Sequence, residues 1–211
     1  MEDFPMREEG IKVEQHGRFF VVGDVEHAEV VVVALHGYGQ LARFFGRHFS
    51  PIPSKVVLVL PEGLHRFYLN GSSGRVGASW MTKEAREWDI KDNHNYIKCL
   101  VEQVKLKRFN RRILVGFSQG GATAARYFFN TSNDFTELVL WGCVFPPDID
   151  PSFTWTNAGN CKFFIGTEDP FFQDEQKENA LSFYANQGFE VIQYKGGHAV
   201  NSVELWKSLG I

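Results

Sequence analysis

Gly116-Phe117-Ser118-Gln119-Gly120 is the stretch that decides the fold. It follows an apolar run at 113–115 and precedes a segment rich in small residues, 121–130, that is typical of a helix. A serine between glycines at a strand-to-helix junction is the pattern of a nucleophile elbow. In that turn the serine backbone is strained and its hydroxyl projects from the end of the strand. The segment therefore predicts a strand, a sharp turn and a helix, with Ser118 as candidate nucleophile.

Apolar runs alternate with helical patterns along the rest of the chain. The runs lie at 30–35, 56–60, 113–117, 138–142, 163–166 and 191–194. Several are continuous in Val, Leu, Ile and Phe, as expected of strands buried on both faces. Helical patterns lie between them, and the runs at 11–13 and 18–22 suggest a leading hairpin. This alternation predicts one α/β domain over residues 1–211, with a mostly parallel sheet and helices on both faces.

Composition and charge exclude several classes of function. The net charge is −3, and no basic stripe is present, which disfavours nucleic acid as a partner. The longest apolar run is far too short for a membrane span. The acidic segment 1–10 lacks the apolar region of a secretory signal, and the 3 cysteines are odd in number and widely spaced. We therefore expect a cytoplasmic protein with reduced thiols.

Two long stretches have no assigned element. Segments 61–80 and 144–160 are rich in Gly, Pro and aromatic residues. Long ordered loops are often functional, so both are candidates for contact with a ligand, although the sequence gives neither a role.

A nucleophilic serine needs a base, and the base needs an acid to orient it. In α/β-hydrolases the three residues come in the order serine, acid, histidine, each after a strand. His198 follows the run at 191–194 and is the expected base. Asp169 follows the run at 163–166, and Pro170 fixes the residue before it, so Asp169 is the preferred acid. Glu168 is the nearest competitor, and Asp148 and Asp150 are more distant ones.

The oxyanion of an acyl-transfer intermediate needs two backbone N–H donors. Gln119 N–H, directly after the serine and at a helix N-terminus, is the first. The loop after the run at 30–35 supplies the second, for which we prefer Tyr38 N–H, with Gly39 as the alternative. His36 is expected to be a structural hydrogen-bonding residue that holds this loop.

Four motifs in this order resemble the phospholipase/carboxylesterase family. They are Leu-His-Gly-Tyr-Gly at 35–39, Gly-Phe-Ser-Gln-Gly-Gly at 116–121, Asp-Pro at 169–170 and Gly-Gly-His at 196–198. The resemblance implies an α/β-hydrolase fold and hydrolysis of carboxylic esters or thioesters by Ser118, Asp169 and His198 without a cofactor. About 200 residues is near the minimum for this fold, so no separate lid domain is expected.

One departure from the family concerns the substrate. Family members commonly carry Trp-Phe-Asp where this chain has Trp80-Met81-Thr82. The resemblance therefore does not indicate whether the natural substrate is a short-chain ester, a lysophospholipid or a protein thioester. We expect Phe67, Trp80 and Phe145 to line an acyl-binding cleft, because aromatic side chains supply large apolar surfaces. The expected partner is a small-molecule ester or thioester, and the oligomeric state, monomer or homodimer, stays open.

Two rival functions remain. Residues 37–42 fit a Gly-x-Gly-x-x-Ala pattern after a strand, and Glu62 lies where a dinucleotide-binding site would hold a ribose. Alternatively, the fold is a catalytically silent binding module. Neither rival explains Ser118, Asp169 and His198 together. No metal-binding motif is present in the sequence, so no metal is expected.

Overall fold

A seven-stranded sheet forms the centre of the computed structural model, which describes residues 6–131, 133–150 and 160–211. Its strands, in chain order, are β1 (Phe19–Val22), β2 (Val30–Leu35), β3 (Val56–Pro61), β6 (Arg111–Phe117), β7 (Glu137–Trp141), β8 (Cys161–Gly166) and β9 (Glu190–Tyr194). The spatial order is β1-β3-β2-β6-β7-β8-β9. Only β1 in this sheet runs antiparallel to its neighbour. The predicted mostly parallel α/β sheet is confirmed.

Helices cover both faces of this sheet. They are α1 (Ala42–Phe45), α2 (Arg86–Gln103), α3 (Gln119–Asn130), α4 (Asp174–Asn186) and α5 (Ser202–Leu209), with short 3₁₀ turns at Gly46–Phe49 and Leu106–Arg108. Every residue of β2 is buried, and alternate residues enter two separate apolar cores. Val31 and Val33 pack with α2, α3 and α4, whereas Val30 and Val32 pack with α1 and α5. This alternation explains why the strand reads as continuous valine.

The structure differs from the sequence-based expectation at the N-terminus. A leading hairpin is wrong, because residues 6–18 form no strand and only Phe19–Val22 joins the sheet. Instead, Gly10 and Gly17 of this segment pack closely against the rings of Trp88 and Tyr96 of α2. A Cβ on Gly17 would come within 2.2 Å of the Tyr96 ring, and the Tyr96 hydroxyl donates to Arg18 O. Ile11 and Val13 are mostly exposed, so the alternating apolar pattern of 11–13 buries no strand face.

Part of the loop at 61–80 is a second, small sheet. Strands β4 (His65–Tyr68) and β5 (Val76–Ser79) pair as an antiparallel hairpin. Each strand has only four residues, and most of β4 is exposed, so neither has the buried apolar run by which the other strands were identified. Of the loop at 144–160, residues 151–159 lie outside the described residues.

All the loops that follow β2, β6, β8 and β9 lie at one edge of the sheet, because these strands are parallel. Ligand sites of open α/β sheets lie at this carboxyl edge. Among the described residues, no helix has the length and apolar character that crossing a membrane requires.

Candidate active site

The strained turn is present at Ser118. Its backbone has φ 52° and ψ −120°, a conformation that residues with a side chain rarely adopt. The turn needs the flanking glycines. A Cβ on Gly116 would lie 2.6 Å from Gly120 O, and one on Gly120 would lie 2.4 Å from Leu35 O. At Gly116 strand β6 meets helix α3, and at Gly120 helix α3 meets the end of β2, in both places too closely for any larger residue.

His198 and Asp169 are directly connected. His198 Nδ1 lies 2.7 Å from Asp169 Oδ2, and since a carboxylate only accepts, the imidazole is the donor. The Asp169 side chain is 1% exposed, and its second oxygen accepts from Phe171 N–H at 3.0 Å. Glu168 is exposed at this loop. The structure thus pairs the histidine with Asp169 and not with Glu168.

Ser118 is connected to this pair through the end of β7. Ser118 N–H donates to Trp141 O at 2.9 Å, and the next residue, Gly142, lies against the pair. A Cβ on Gly142 would come within 3.2 Å of both Asp169 Oδ2 and the His198 ring. The ring of Phe117 lies 4.7 Å from that of His198, centroid to centroid. Ser118 Oγ forms no hydrogen bond with any described residue, and such bonds often tighten only when substrate binds.

The predicted oxyanion donors, Tyr38 N–H and Gln119 N–H, are free of other hydrogen bonds among the described residues, whereas the alternative, Gly39 N–H, is not. Within residues 6–131, 133–150 and 160–211, neither Tyr38 N–H nor Gln119 N–H has a hydrogen-bond acceptor. Gly39 N–H, the alternative donor, is occupied, because it donates to Ala78 O at 2.9 Å. The geometry favours Tyr38 over Gly39.

His36 holds the loop that contains Tyr38. It is fully buried, its Nδ1–H donates to Gly37 O at 2.7 Å, and its Nε2 accepts from Gly63 N–H at 2.9 Å. The contact with Gly63 N–H requires the neutral ring, because a protonated Nε2 cannot accept a hydrogen bond. Burial accordingly lowers the pKa of His36 below its ordinary value. His36 is a structural residue, occupied on both nitrogens.

Glu62 is occupied in a way that does not suit ribose binding. Its side chain is fully buried, with one oxygen on the Arg18 guanidinium at 3.0 Å and the other on Ala42 N–H at 3.2 Å. The carboxylate therefore joins the segment before β1 to the first residue of α1. Glu62 is therefore not available to hold a ribose, which argues against the dinucleotide-binding interpretation.

The structure corrects two of the three predicted substrate contacts. Trp80 has no exposed surface, and its indole N–H donates to His36 O at 2.8 Å. Phe145 is also buried and packs on Phe183 and Tyr184 in the core beside α4. Both were selected for their aromatic bulk, which serves core packing as readily as a cleft. Phe67 is half-buried, and its ring lies 5.3 Å from that of Tyr38.

Phe171 is a candidate that the sequence analysis missed. Its side chain is 70% exposed, and its ring lies 4.5 Å from that of His198. The only sequence signal is its position two residues after Asp169, in a loop that was read for its acid alone. Phe171 and Tyr38, which is 61% exposed, leave aromatic surface open at the edge of the site.

A cavity of about 830 Å³ lies elsewhere, at the amino edge of the sheet. Its lining includes Val30, Lys55 and Arg111, which lie at or next to the first residues of β2, β3 and β6, and the C-terminal Ile211. None of the candidate site residues described above contributes to it. Among the described residues, no group of three or more His, Cys, Asp or Glu side chains is arranged to hold a metal ion.

Comparison with solved structures agrees with this fold. A carboxylesterase from Mesorhizobium loti superposes with a TM-score of 0.68 at 15% identity, covering 95% of this chain and 98% of that one. Acyl-protein thioesterase 2 from Zea mays superposes with a TM-score of 0.65 at 17% identity, covering 92% and 98%. At such identities the likeness shows the fold alone.

Sequence comparison extends this result. A probable 1-acylglycerol-3-phosphate O-acyltransferase from Oryza sativa subsp. japonica is 29% identical over 136 residues, 64% of this chain. The chain spans only 30% of the length of that protein and of a second such acyltransferase, from Arabidopsis thaliana. The Phospholipase/Carboxylesterase family model matches residues 16–207, almost the whole chain. The chain therefore belongs to the phospholipase/carboxylesterase family and has its α/β-hydrolase fold.

Proposed function

We propose that this protein is a serine hydrolase that cleaves carboxylic esters, or thioesters, through an acyl-enzyme on Ser118. The observation that carries the proposal is the 2.7 Å hydrogen bond between His198 and a buried Asp169, beside the strained turn at Ser118. Family membership agrees with an ester hydrolase, and the following steps are our own inference from the geometry.

In the first half-reaction, Ser118 Oγ attacks the carbonyl carbon while His198 Nε2 takes the hydroxyl proton. Asp169 accepts a hydrogen bond from His198 Nδ1–H, which fixes the tautomer and stabilises the charged ring. The tetrahedral intermediate collapses, and the alcohol or thiol leaves with the proton that His198 returns. Ser118 then carries the acyl group as an ester.

In the second half-reaction, water replaces the leaving group. His198 Nε2 takes a proton from the water as it attacks the acyl carbon, and returns it to Ser118 Oγ when the acid is released. No electron donor or acceptor is needed, and every proton is carried by the same imidazole.

In both half-reactions the developing oxyanion would be held by Tyr38 N–H and Gln119 N–H. Two observations support this assignment: both groups lack an acceptor among the described residues, and Gln119 N–H is the first amide of α3. The first amides of a helix have no intrahelical partner and carry the positive end of its dipole. Losing one such donor typically lowers kcat about 100- to 1000-fold.

The substrate proposed is a small molecule with an accessible acyl group. Tyr38, Phe67 and Phe171 give the edge of the site aromatic surface that an acyl chain can contact. Acyl-protein thioesterase 2 shares the fold, which makes a thioester a reasonable second substrate to test.

The proposal is tested by labelling the protein with a fluorophosphonate probe and comparing wild type with Ser118→Ala. Label that is present in wild type and lost in the variant supports a working nucleophile. p-Nitrophenyl esters of increasing chain length would then measure the acyl preference. If folded wild type takes no label and cleaves no ester, the catalytic assignment is wrong and the binding-module interpretation takes its place.

A further inference from the structure

The side chain of Gln119 is nearly saturated with hydrogen bonds to one short segment, 79–81. Its Oε1 accepts from Trp80 N–H at 3.0 Å, and its Nε2 donates to Met81 O at 2.7 Å and to Ser79 Oγ at 3.1 Å. The Ser79 hydroxyl lies 2.9 Å from Met81 O and closes the network. A side-chain amide with this many contacts has one defined position.

Trp80 connects this hydrogen-bond network to the loop that follows β2. Its indole N–H donates to His36 O at 2.8 Å, and its carbonyl accepts from Asn93 of α2 at 2.6 Å. Trp80 is fully buried, and its ring lies 5.1 Å from that of His36. A rotation of Trp80 would therefore leave a buried carbonyl without its donor.

The same segment holds the far side of Tyr38. Gly39 N–H donates to Ala78 O at 2.9 Å, and Ala78 N–H donates to Gln40 O at 3.1 Å. A Cβ on Gly77 would come within 2.4 Å of Gly39 O, so strand β5 and this loop are in direct backbone contact. Tyr38 thus lies between two fixed points, His36 and Gly39, and both are attached to residues 78–80.

From this chain of contacts we propose that the Gln119 side chain is a positioning residue, which holds the Tyr38 N–H in register with the N–H of Gln119 itself. The inference rests on the proposed function, because it assigns the side chain a role in aligning the two oxyanion donors. One residue then supplies one donor through its backbone and sets the direction of the other through its side chain.

The alignment matters most in the transition state. Donors bind the oxyanion well only at about 2.7–3.1 Å from the position that it will occupy, and an error of about 1 Å can cost about 100-fold in rate. A misaligned donor reduces the stabilisation of the transition state far more than that of the bound substrate, so kcat falls and KM changes little. A general loss of stability would not produce this separation.

Gln119→Met is the variant that tests the proposal, because Met has a similar length but cannot form these hydrogen bonds. Gln103→Met is the matched control, since Gln103 is exposed in the last turn of α2. We expect Gln119→Met to lower kcat about 10- to 100-fold with KM within about twofold, and Gln103→Met to match wild type. Ser79→Ala, which removes only the hydroxyl contacts, is a milder second variant and should show a smaller loss of kcat in the same direction.

Amide hydrogen exchange supplies a readout that does not depend on catalysis. In Gln119→Met the amides of Gly39, Ala78 and Trp80 should exchange faster than in wild type and in Gln103→Met. Unchanged exchange at these amides, or an unchanged kcat, overturns the inference. Failure of the proposed function would instead show in wild type, as absence of fluorophosphonate labelling, and the exchange comparison would still decide whether Gln119 anchors the loop.

Discussion

The α-carbon of Gly142 lies against the ring of His198, so closely that a Cβ there would come within 3.2 Å of Nδ1 and Cε1. The same Cβ would also lie 3.2 Å from Asp169 Oδ2, which accepts the hydrogen bond of that ring. Gly142 has φ +52°, a region where side chains are disfavoured. The residue after β7 thus limits where the histidine can lie.

Gly142→Ala should push His198 and Asp169 aside by a few tenths of an ångström, because its Cβ would lie 3.2 Å from both. About 1 Å of misplacement costs about 100-fold, so we expect kcat/KM to fall about three- to tenfold. Steady-state hydrolysis of p-nitrophenyl acetate measures this. Gly71→Ala is the matched control, because Gly71 also has a positive φ, +62°, but has nothing within 4 Å of its Cβ position. Wild-type kcat/KM in Gly142→Ala would contradict the assignment of His198.

Asp169→Asn should lower kcat about 10⁴-fold, because an amide can donate to Nδ1 and so favour the wrong tautomer. Glu168→Gln changes the neighbouring acid, which is exposed, and should leave kcat within about twofold of wild type. The two variants assayed in parallel separate the acids that the sequence alone leaves open. A larger loss in Glu168→Gln than in Asp169→Asn would reverse the assignment.

The free energy of unfolding should decrease as the pH is lowered, because His36 is buried in its neutral form. Burial lowers the pKa of this ring in the folded state, so the unfolded chain binds more protons below the ordinary histidine pKa of about 6.5. The stability that depends on the neutral ring is complete above about pH 6.5 and is lost as the pH falls from there towards the folded pKa, by at most about 1.4 kcal/mol per pH unit. Urea denaturation at pH 7.5 and pH 5.5 measures the difference.

His36→Gln should be less stable than wild type at pH 7.5 but lose less on going to pH 5.5, because the titrating group is gone. His48→Gln, at an exposed histidine, should keep the wild-type pH dependence. Equal pH dependence in wild type and His36→Gln would show that His36 is not the group responsible.

The backbone of Ser118 predicts a difference in stability between two inactive variants. Ser118→Ala keeps a Cβ in the strained conformation, whereas glycine adopts a positive φ without strain. We expect Ser118→Gly to be about 1 kcal/mol more stable than Ser118→Ala by urea denaturation, after allowing for the greater flexibility of unfolded glycine. At Ser208, inside helix α5, the order of the same two variants should reverse.

The candidate residues that the structure brings to one edge of the sheet are those whose sequence signal is local. Ser118 and Asp169 follow buried apolar runs, and His198 follows the partly exposed run of β9. Parallel strands must bring such positions to one edge. The fold followed from the same runs, because residues buried on both faces leave a strong hydrophobic signal.

What the sequence could not predict depends on contacts across the molecule. In the hairpin of β4 and β5, β4 is mostly exposed, and the mostly buried β5 consists of Val, Gly, Ala and Ser, so neither strand has a strong apolar pattern. Trp80 was expected at a cleft, and nothing in its neighbours shows that its indole would reach His36, 44 residues away. The role of the Gln119 side chain was hidden for the same reason, since its motif concerns only the backbone.

The order of strands also bears on how the molecule fails under stress. Tyr38 and Ser118 follow the inner strands β2 and β6, but His198 follows β9, which is the last strand at one side of the sheet and is partly exposed. Terminal strands open at lower free energy than central ones. Gentle heating should therefore abolish activity through local unfolding of β9 while most of the helical circular dichroism persists. Residual activity then measures how much of the protein still has β9 in place at the edge of the sheet.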